Sequence, residues 1–105
     1  MLLAVEKEVQ NVTTTIKIKG LIDITTTHVI DPYLEDLDGI EILILDLSAL
    51  EFIDSTGIGS IMNAIYLSKE KNFKIKLKGI DELTHEVFDI VGLYEILEAF
   101  HGEVI

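Results

Sequence analysis

Apolar and polar residues change rhythm along the chain, and the changes divide it into elements. Leu3, Val5 and Val9 alternate with polar neighbours, and beyond Asn11 the run from Val12 to Lys19 places Thr14, Ile16 and Ile18 on one parity. A period of two marks strands with one face turned to a core, so these segments read as two strands joined by a tight turn. Gly20 is expected to break the second strand before Leu21-Ile22-Asp23. The period then lengthens: Ile30, Tyr33, Leu34 and Leu37 recur at helical spacing between Thr25 and Asp38. Three threonines lower the helix propensity of that start, and proline is tolerated only in a first turn. The ordered helix is therefore expected to begin near Asp31, with Asp31 as cap and Pro32 at the first helical position.

Ile40 to Leu47 is short, apolar and rich in isoleucine, the signature of a strand buried on both faces. Residues 48 to 54 read as a connecting loop. From Ser55 onward Ile58, Ile61, Met62 and Ile65 fit an amphipathic helix packed on that strand, and Asn72 suits a left-handed helix end. Phe73, Ile75 and Leu77 alternate with Lys74, Lys76 and Lys78, which predicts a strand with one face in water. After Gly79, Asp81 can cap a helix carrying Leu83, Val87, Phe88 and Val91 that stops at Gly92. Leu93 to Phe100 fits either a short helix or a turn leading to a last strand. The alternation predicts an α/β architecture, a sheet with helices sharing one face, in a single domain over residues 1–105.

Charge narrows the partners. Eight lysines, no arginine and nineteen acids give a formal charge of -11, so nucleic acid and anionic membrane surfaces are not expected partners. Between Lys19 and Lys69 there is no lysine, while nine acids fall there, so the centre of the chain is locally acidic. Cysteine is absent, which excludes disulfides, thiolate metal sites and cysteine catalysis. No apolar run approaches the ~18 residues of a membrane span, and Glu6 and Lys7 interrupt the N-terminus too early for a secretion signal. Membrane insertion is not expected, and a cytoplasmic protein is.

The chemistry points to the junction Asp54-Ser55-Thr56-Gly57-Ile58-Gly59. A strand, a loop and a helix start leave unpaired N–H groups and the positive end of the helix dipole at the loop tip, where Asp54 or Ser55 can cap them. Gly57 and Gly59 weaken a first helical turn and would permit close approach of another backbone or a ligand. A free nucleotide phosphate is poorly served: the P-loop pattern is missing, the segment has no lysine or arginine, and Asp54 stands beside it. Ser55 as a catalytic nucleophile lacks a G-x-S-x-G context, and no motif ties His28, His85 or His101 to it. No spaced ligand set suggests a metal, no cofactor is implied, and pairs such as Glu35-Asp36 read as solvated faces.

A covalent phosphate is a different case. An exposed hydroxyl on a helix N-terminus can accept a phosphoryl group from another enzyme, adding a charge of roughly -1.5 to -2. Without arginine the chain cannot clamp that group, so its effect would fall on whatever docks at the loop. At ~6 Å from a partner carboxylate the repulsion is of order 1 to 5 kcal/mol, enough for a steric and electrostatic off-switch.

The run LDLSALEFIDSTGIGSIMNA resembles the central signature of the STAS domain, in particular the bacterial anti-sigma factor antagonists, through its D-S-[ST]-G-h-G core. Gly20-Leu21-Ile22-Asp23 is similar to the family's G-x-h-D element, and LTHEVFDIVGLYEIL to its C-terminal helix, with Phe88, Gly92 and Leu93 in the characteristic places. The resemblance implies a mixed, partly parallel sheet with helices packed mainly on one face. It implies partner switching: the dephosphorylated antagonist binds an anti-sigma factor, often a serine kinase, and frees a sigma factor. Phosphorylation ends the binding, and a PP2C-like phosphatase reverses it. By position the phosphoacceptor maps to Ser55, with Thr56 the adjacent second choice, and Asp23 occupies the family's acidic position near the loop. Leu21 stands where many antagonists carry a charge, and Pro32 suggests a displaced first helix. Two alternatives stay open: a nucleotide or other small ligand at the same loop, or a non-phosphorylated STAS subunit of a transporter or larger signalling assembly.

Overall fold

A computed structural model describes residues 3–105. The order is β1 (Leu3–Gln10), β2 (Thr13–Ile22), α1 (Thr27–Glu35), β3 (Ile42–Ile53), α2 (Ser55–Glu70), β4 (Lys74–Lys78), α3 (Glu82–Ile90), α4 (Leu93–Ala99) and β5 (Glu103–Val104). The strands lie side by side in chain order in one sheet. β1 and β2 form the expected antiparallel hairpin, turning at Asn11 with φ 57°. Every later pair is parallel. One parity of the strands builds the core: Ile16, Ile18, Leu43, Leu45, Ile75 and Leu77 are fully buried, and Ile30, Leu34, Ile61, Ile65, Phe88 and Leu97 cover them from the helices.

Helix ends follow the sequence where a side chain or a backbone angle decides them. Asp81 accepts a hydrogen bond from the Thr84 amide at 2.8 Å and caps α3. Asn72 (φ 65°) and Gly92 (φ 77°) take the left-handed conformation just past α2 and α3. The open choice after Leu93 resolves as both: α4 is followed by the two-residue edge strand β5.

Five expectations are corrected. α1 begins at Thr27, not near Asp31, and Pro32 lies inside it. The cause is the turn that precedes it. Thr26 and Thr27 amides donate to the Asp23 carbonyl at 3.1 and 3.0 Å, while the buried Thr26 hydroxyl donates to the Leu21 carbonyl at 2.8 Å and accepts from the Asp23 amide at 2.9 Å. That network sets the first turn early, and Pro32 then lacks the amide that would have bonded to His28. At the other end of α1, the Lys71 ammonium donates to the Glu35 carbonyl at 2.9 Å, a cation at a helix C-terminus.

Gly20 does not end β2, and residues 48 to 53 are not loop. Gly20 takes φ 98° inside the strand, and the pairing slips twice, so that Lys17 faces Asp46, Lys19 faces Ala49 and Leu21 faces Phe52. In β3 these irregularities shift parity, so that the buried positions run Leu43, Leu45 and Leu47 and then Leu50, which hides the strand from a period-two reading. β3 is also covered on one face only, because Ile42 and Ile44 on the other parity remain half-exposed. Finally, Leu83 is 70% exposed and Val91 43%, so α3 buries Phe88 with a narrower stripe than its spacing suggests.

Asp46 anchors the first slip. It is 9% exposed, on the sheet face opposite the helices, between Lys17 and Lys78 on the flanking strands. Burial pushes its carboxyl up, but hydrogen bonds from Ser48 and the two lysine charges outweigh it, and the net shift is downward. The next strand comes close here: a methyl on Gly79 (φ 74°) would stand 2.6 Å from the Ser48 Cβ and 2.8 Å from its backbone N.

A carboxyl held below its unfolded value stabilises the fold above that value, ~3.9 for aspartate, and loses the contribution as pH falls through the folded pKa. Asp46→Asn is therefore expected to be less stable than the natural chain at pH 7, with the gap closing as pH drops below 4, measured by urea unfolding across pH. Gly39→Ala, at φ 78° in open space, should cost about 1 kcal/mol for its backbone alone, whereas Gly79→Ala adds the Ser48 clash and should cost about 2 to 4 kcal/mol in the same assay.

Candidate functional site

The C-terminal ends of β2 and β3 bring the expected site residues to one edge of the sheet. The Asp54 amide donates to the Ile22 carbonyl at 3.1 Å, continuing the β2–β3 pairing to the first residue of the loop. The chain then turns directly into α2, so the loop is a single residue. Asp54 is its N-cap: Oδ1 accepts from the Gly57 amide at 2.9 Å, and Oδ2 accepts from the Ile24 amide at 3.3 Å. One carboxylate thus ties the start of α2 to the turn after β2. Asp23 sits in that turn, and its Oδ1 accepts from the Thr25 amide at 2.8 Å and the Thr25 hydroxyl at 2.6 Å. These bonds, the hydroxyl first, hold the Asp23 carboxyl below its ordinary value.

The edge has an inner and an outer layer. Gly57 and Ile58 are buried beneath the loop, while Ser55, Thr56 and Gly59 are exposed and Asp23 and Asp54 half-exposed. A methyl on Gly57 would stand 2.7 Å from the Ile22 and Ile53 side chains and 2.9 Å from the Ile22 carbonyl oxygen. Close approach within the chain therefore explains Gly57. It does not explain Gly59, where a methyl meets nothing within 4 Å. Because Asp54 caps the helix, the Ser55 hydroxyl is left outside the side-chain hydrogen bonds of the described residues.

Sequence reasoning missed two neighbours. Ile24, whose amide bonds Asp54, is 75% exposed, and Phe52, paired laterally with Leu21, is 52% exposed. Ile24 has no periodic partner in a threonine-rich turn, where an isolated large apolar residue between Asp23 and Thr25 was the available signal, and Phe52 lies in the segment expected to be loop, with no such signal beside Ile53. Ile24, Phe52 and the half-exposed Leu21 make the rim apolar, and no lysine from residues 20–68 relieves its acidity. Two large hollows, of about 570 Å³ and about 510 Å³, lie elsewhere, and neither is lined by residues of this edge. The edge presents the exposed Ser55 and Thr56 hydroxyls outside any hollow, an arrangement suited to docking rather than to enclosing a ligand.

The STAS domain profile matches residues 4–104. The chain belongs to the STAS domain family. Among relatives, an anti-sigma F factor antagonist of Paenibacillus polymyxa is 30% identical over 64 residues, covering 61% of this chain and 55% of that protein. An anti-sigma-B factor antagonist of Staphylococcus aureus is 22% identical over 104 residues, 97% of this chain and 96% of that one. In the first case the match spans about half the relative's length. Among solved structures, the anti-sigma factor antagonist SpoIIAA in its unphosphorylated form superposes with a TM-score of 0.74 at 21% identity, over 86% of this chain and 82% of that one. The phosphorylated form of Bacillus SpoIIAA gives 0.71 at 21% identity, over 88% and 86%. An antagonist from Mycobacterium paratuberculosis gives 0.72 at 22% identity, over 89% and 80%. These likenesses establish the fold: a mixed sheet with helices on one face. Among the described residues no helix is long and apolar enough to cross a membrane.

The two glycines of this STAS domain should separate in a thermal or urea melt. Gly57→Ala must displace Ile22 or Ile53 and should cost about 2 kcal/mol or more, while Gly59→Ala should gain up to about 1 kcal/mol of helix stability.

Proposed function

We propose that this STAS domain, a single unit over residues 1–105, is a non-enzymatic anti-sigma factor antagonist that works by partner switching in the cytoplasm. In its unphosphorylated form the edge built from Asp23, Asp54, Ser55, Thr56 and Gly59, over Gly57 and Ile58, binds an anti-sigma factor and so frees a sigma factor. The anti-sigma factor is a serine kinase that phosphorylates Ser55 and thereby ends the binding, and a PP2C-like phosphatase restores it. The observation that carries this reading is the exposed Ser55 hydroxyl at the first residue of α2, unused by the chain's own capping because Asp54 does that work. Its relatives, which are anti-sigma factor antagonists, support it, as does the existence of phosphorylated and unphosphorylated SpoIIAA.

The electrostatics favour repulsion over reorganisation. A phosphate on Ser55 would sit beside the Asp54 carboxylate, with Asp23 on the adjacent turn, in a chain without arginine. No new ion pair can fold the group back onto this surface, so the added charge confronts the docked partner. Gly59 has space for a side chain that it does not carry, which fits a partner lying against the first turns of α2. A role for Ser55 as the helix cap is disfavoured because the cap is Asp54.

Incubation with the cognate kinase and ATP should put one phosphate on Ser55, located by mass spectrometry, and Ser55→Ala should abolish it. Ser55→Ala should leave stability within about 0.5 kcal/mol, whereas Ser55→Asp should weaken capture of the anti-sigma factor tenfold or more. Equal capture by Ser55→Asp and the natural chain would sink the switch.

A further inference from the structure

The sheet face opposite the helices concentrates the positive charge of an acidic chain. Lys17, Lys19, Lys74, Lys76 and Lys78 all stand on it, by the parity opposite to the buried Ile16, Ile18, Ile75 and Leu77. Four carboxylates share the face: Glu6, Glu8, Asp46 and Glu103. With five of the eight lysines among these acids, the face is far less negative than the rest of a chain of -11. Lys19 pairs with Glu6 at 2.9 Å and Lys76 with Glu103 at 3.4 Å, but Lys17, Lys74 and Lys78 have no ion-pair partner among the described residues. Between them lie the half-exposed Ile42 and Ile44, lateral neighbours of Lys74 and Lys76.

The complement of this surface is α3. Its inward side is Phe88; its outward side carries Leu83 at 70% exposure and Ile90 at 84%, seven residues apart and therefore on one stripe. Glu82, Glu86 and Asp89 are exposed beside them, and α3 contains no lysine. Apolar residues flanked by carboxylates on α3 thus match apolar residues flanked by unpaired lysines on the sheet.

We propose that the open sheet face is a docking surface for α3 of a second copy of this chain. Leu83 and Ile90 would lie over Ile42 and Ile44, with Glu82, Glu86 and Asp89 against Lys17, Lys74 and Lys78. The two surfaces are on opposite sides of the sheet layer, so the contact is heterologous: each added copy leaves one surface of each kind free, and copies stack head to tail. The molecule measures 30 × 30 × 20 Å, and a nine-residue helix covers only part of such a face, which puts the contact at the weak end of protein interfaces. At ~0.1 M salt the mutual repulsion of two acidic molecules is screened beyond ~10 Å, while lysine and carboxylate pairs at contact are less affected. The Ser55 edge takes no part, so this assembly and the partner switch fail independently.

Sedimentation velocity on the full chain at ~0.1 M NaCl, from about 10 μM to about 1 mM, tests it. The natural chain and Ser55→Asp should both show a sedimentation coefficient that rises with concentration and falls again as salt is raised. Ile90→Glu disables the helix surface and Lys74→Glu with Lys78→Gln disables the sheet surface, so each should sediment as a monomer alone. Mixed, they retain one intact surface of each kind and should form dimers that grow no further. Glu86→Lys provides a second helix-surface variant, and circular dichroism confirms that each variant is folded. A natural chain that stays monomeric to about 1 mM, a variant that associates like the natural chain, or a mixture that forms no dimer would each overturn the proposal.

Discussion

The contact on which the rest depends is between the end of β2 and the first turn of α2. Gly57 packs so closely on Ile22 and Ile53 that no methyl fits between them, and Asp54 closes the same junction from outside by binding the Gly57 and Ile24 amides. A helix pressed this tightly on a strand end cannot tilt without losing both. Ser55 and Thr56 are therefore presented on a fixed base, and a connection of one residue leaves no slack through which the hydroxyl could retreat. A reversible covalent mark is most useful on such a base, since its charge appears at a defined place and not within a moving loop.

The sheet divides the molecule into two unlike halves. On the helix side, leucine and isoleucine from every inner strand meet Phe88, Leu93 and Leu97 in a continuous apolar core. On the other side, lysines and carboxylates alternate across strands, and Asp46 is held ionised between Lys17 and Lys78. Cross-strand pairs of opposite charge fix the register of strands whose open face offers little apolar burial. The junction at Asp54 and the open face thus differ in kind: one presents exposed hydroxyls, the other presents charge.

Much of this was legible in the sequence, and what was not has identifiable causes. Capping is local, so Asp81, Asn72 and Gly92 could be read from residue type and position. Strict alternation revealed β4 because Lys74, Lys76 and Lys78 have no parity break. The same reading failed through residues 46–53, where two slips in the pairing with β2 move the buried positions from the parity of Leu43, Leu45 and Leu47 to that of Leu50. Periodicity cannot register such slips, since each strand's pattern is broken by its partner. α1 started early because the Thr26 hydroxyl serves the Leu21 carbonyl, a contact across five residues that no propensity encodes. At the edge, residue type pointed to Asp54 as a helix cap, which the structure bears out, but the exposure of Ile24 and Phe52 depends on which neighbours the fold declines to place over them.

The order of strands in the sheet is also their order in the chain. Each pairing therefore closes a loop of a tight turn, one helix or, before β5, two short helices, and no strand must wait for a distant segment to be inserted beside it. Loop-closure entropy stays small at every step, which favours rapid folding for a sheet that is mostly parallel. The hairpin of β1 and β2 can form alone, and β3 and β4 can each join an edge already present. The chain can lay down its sheet from one side to the other in the sequence in which a ribosome releases it, with the short β5 as the last and most readily frayed edge.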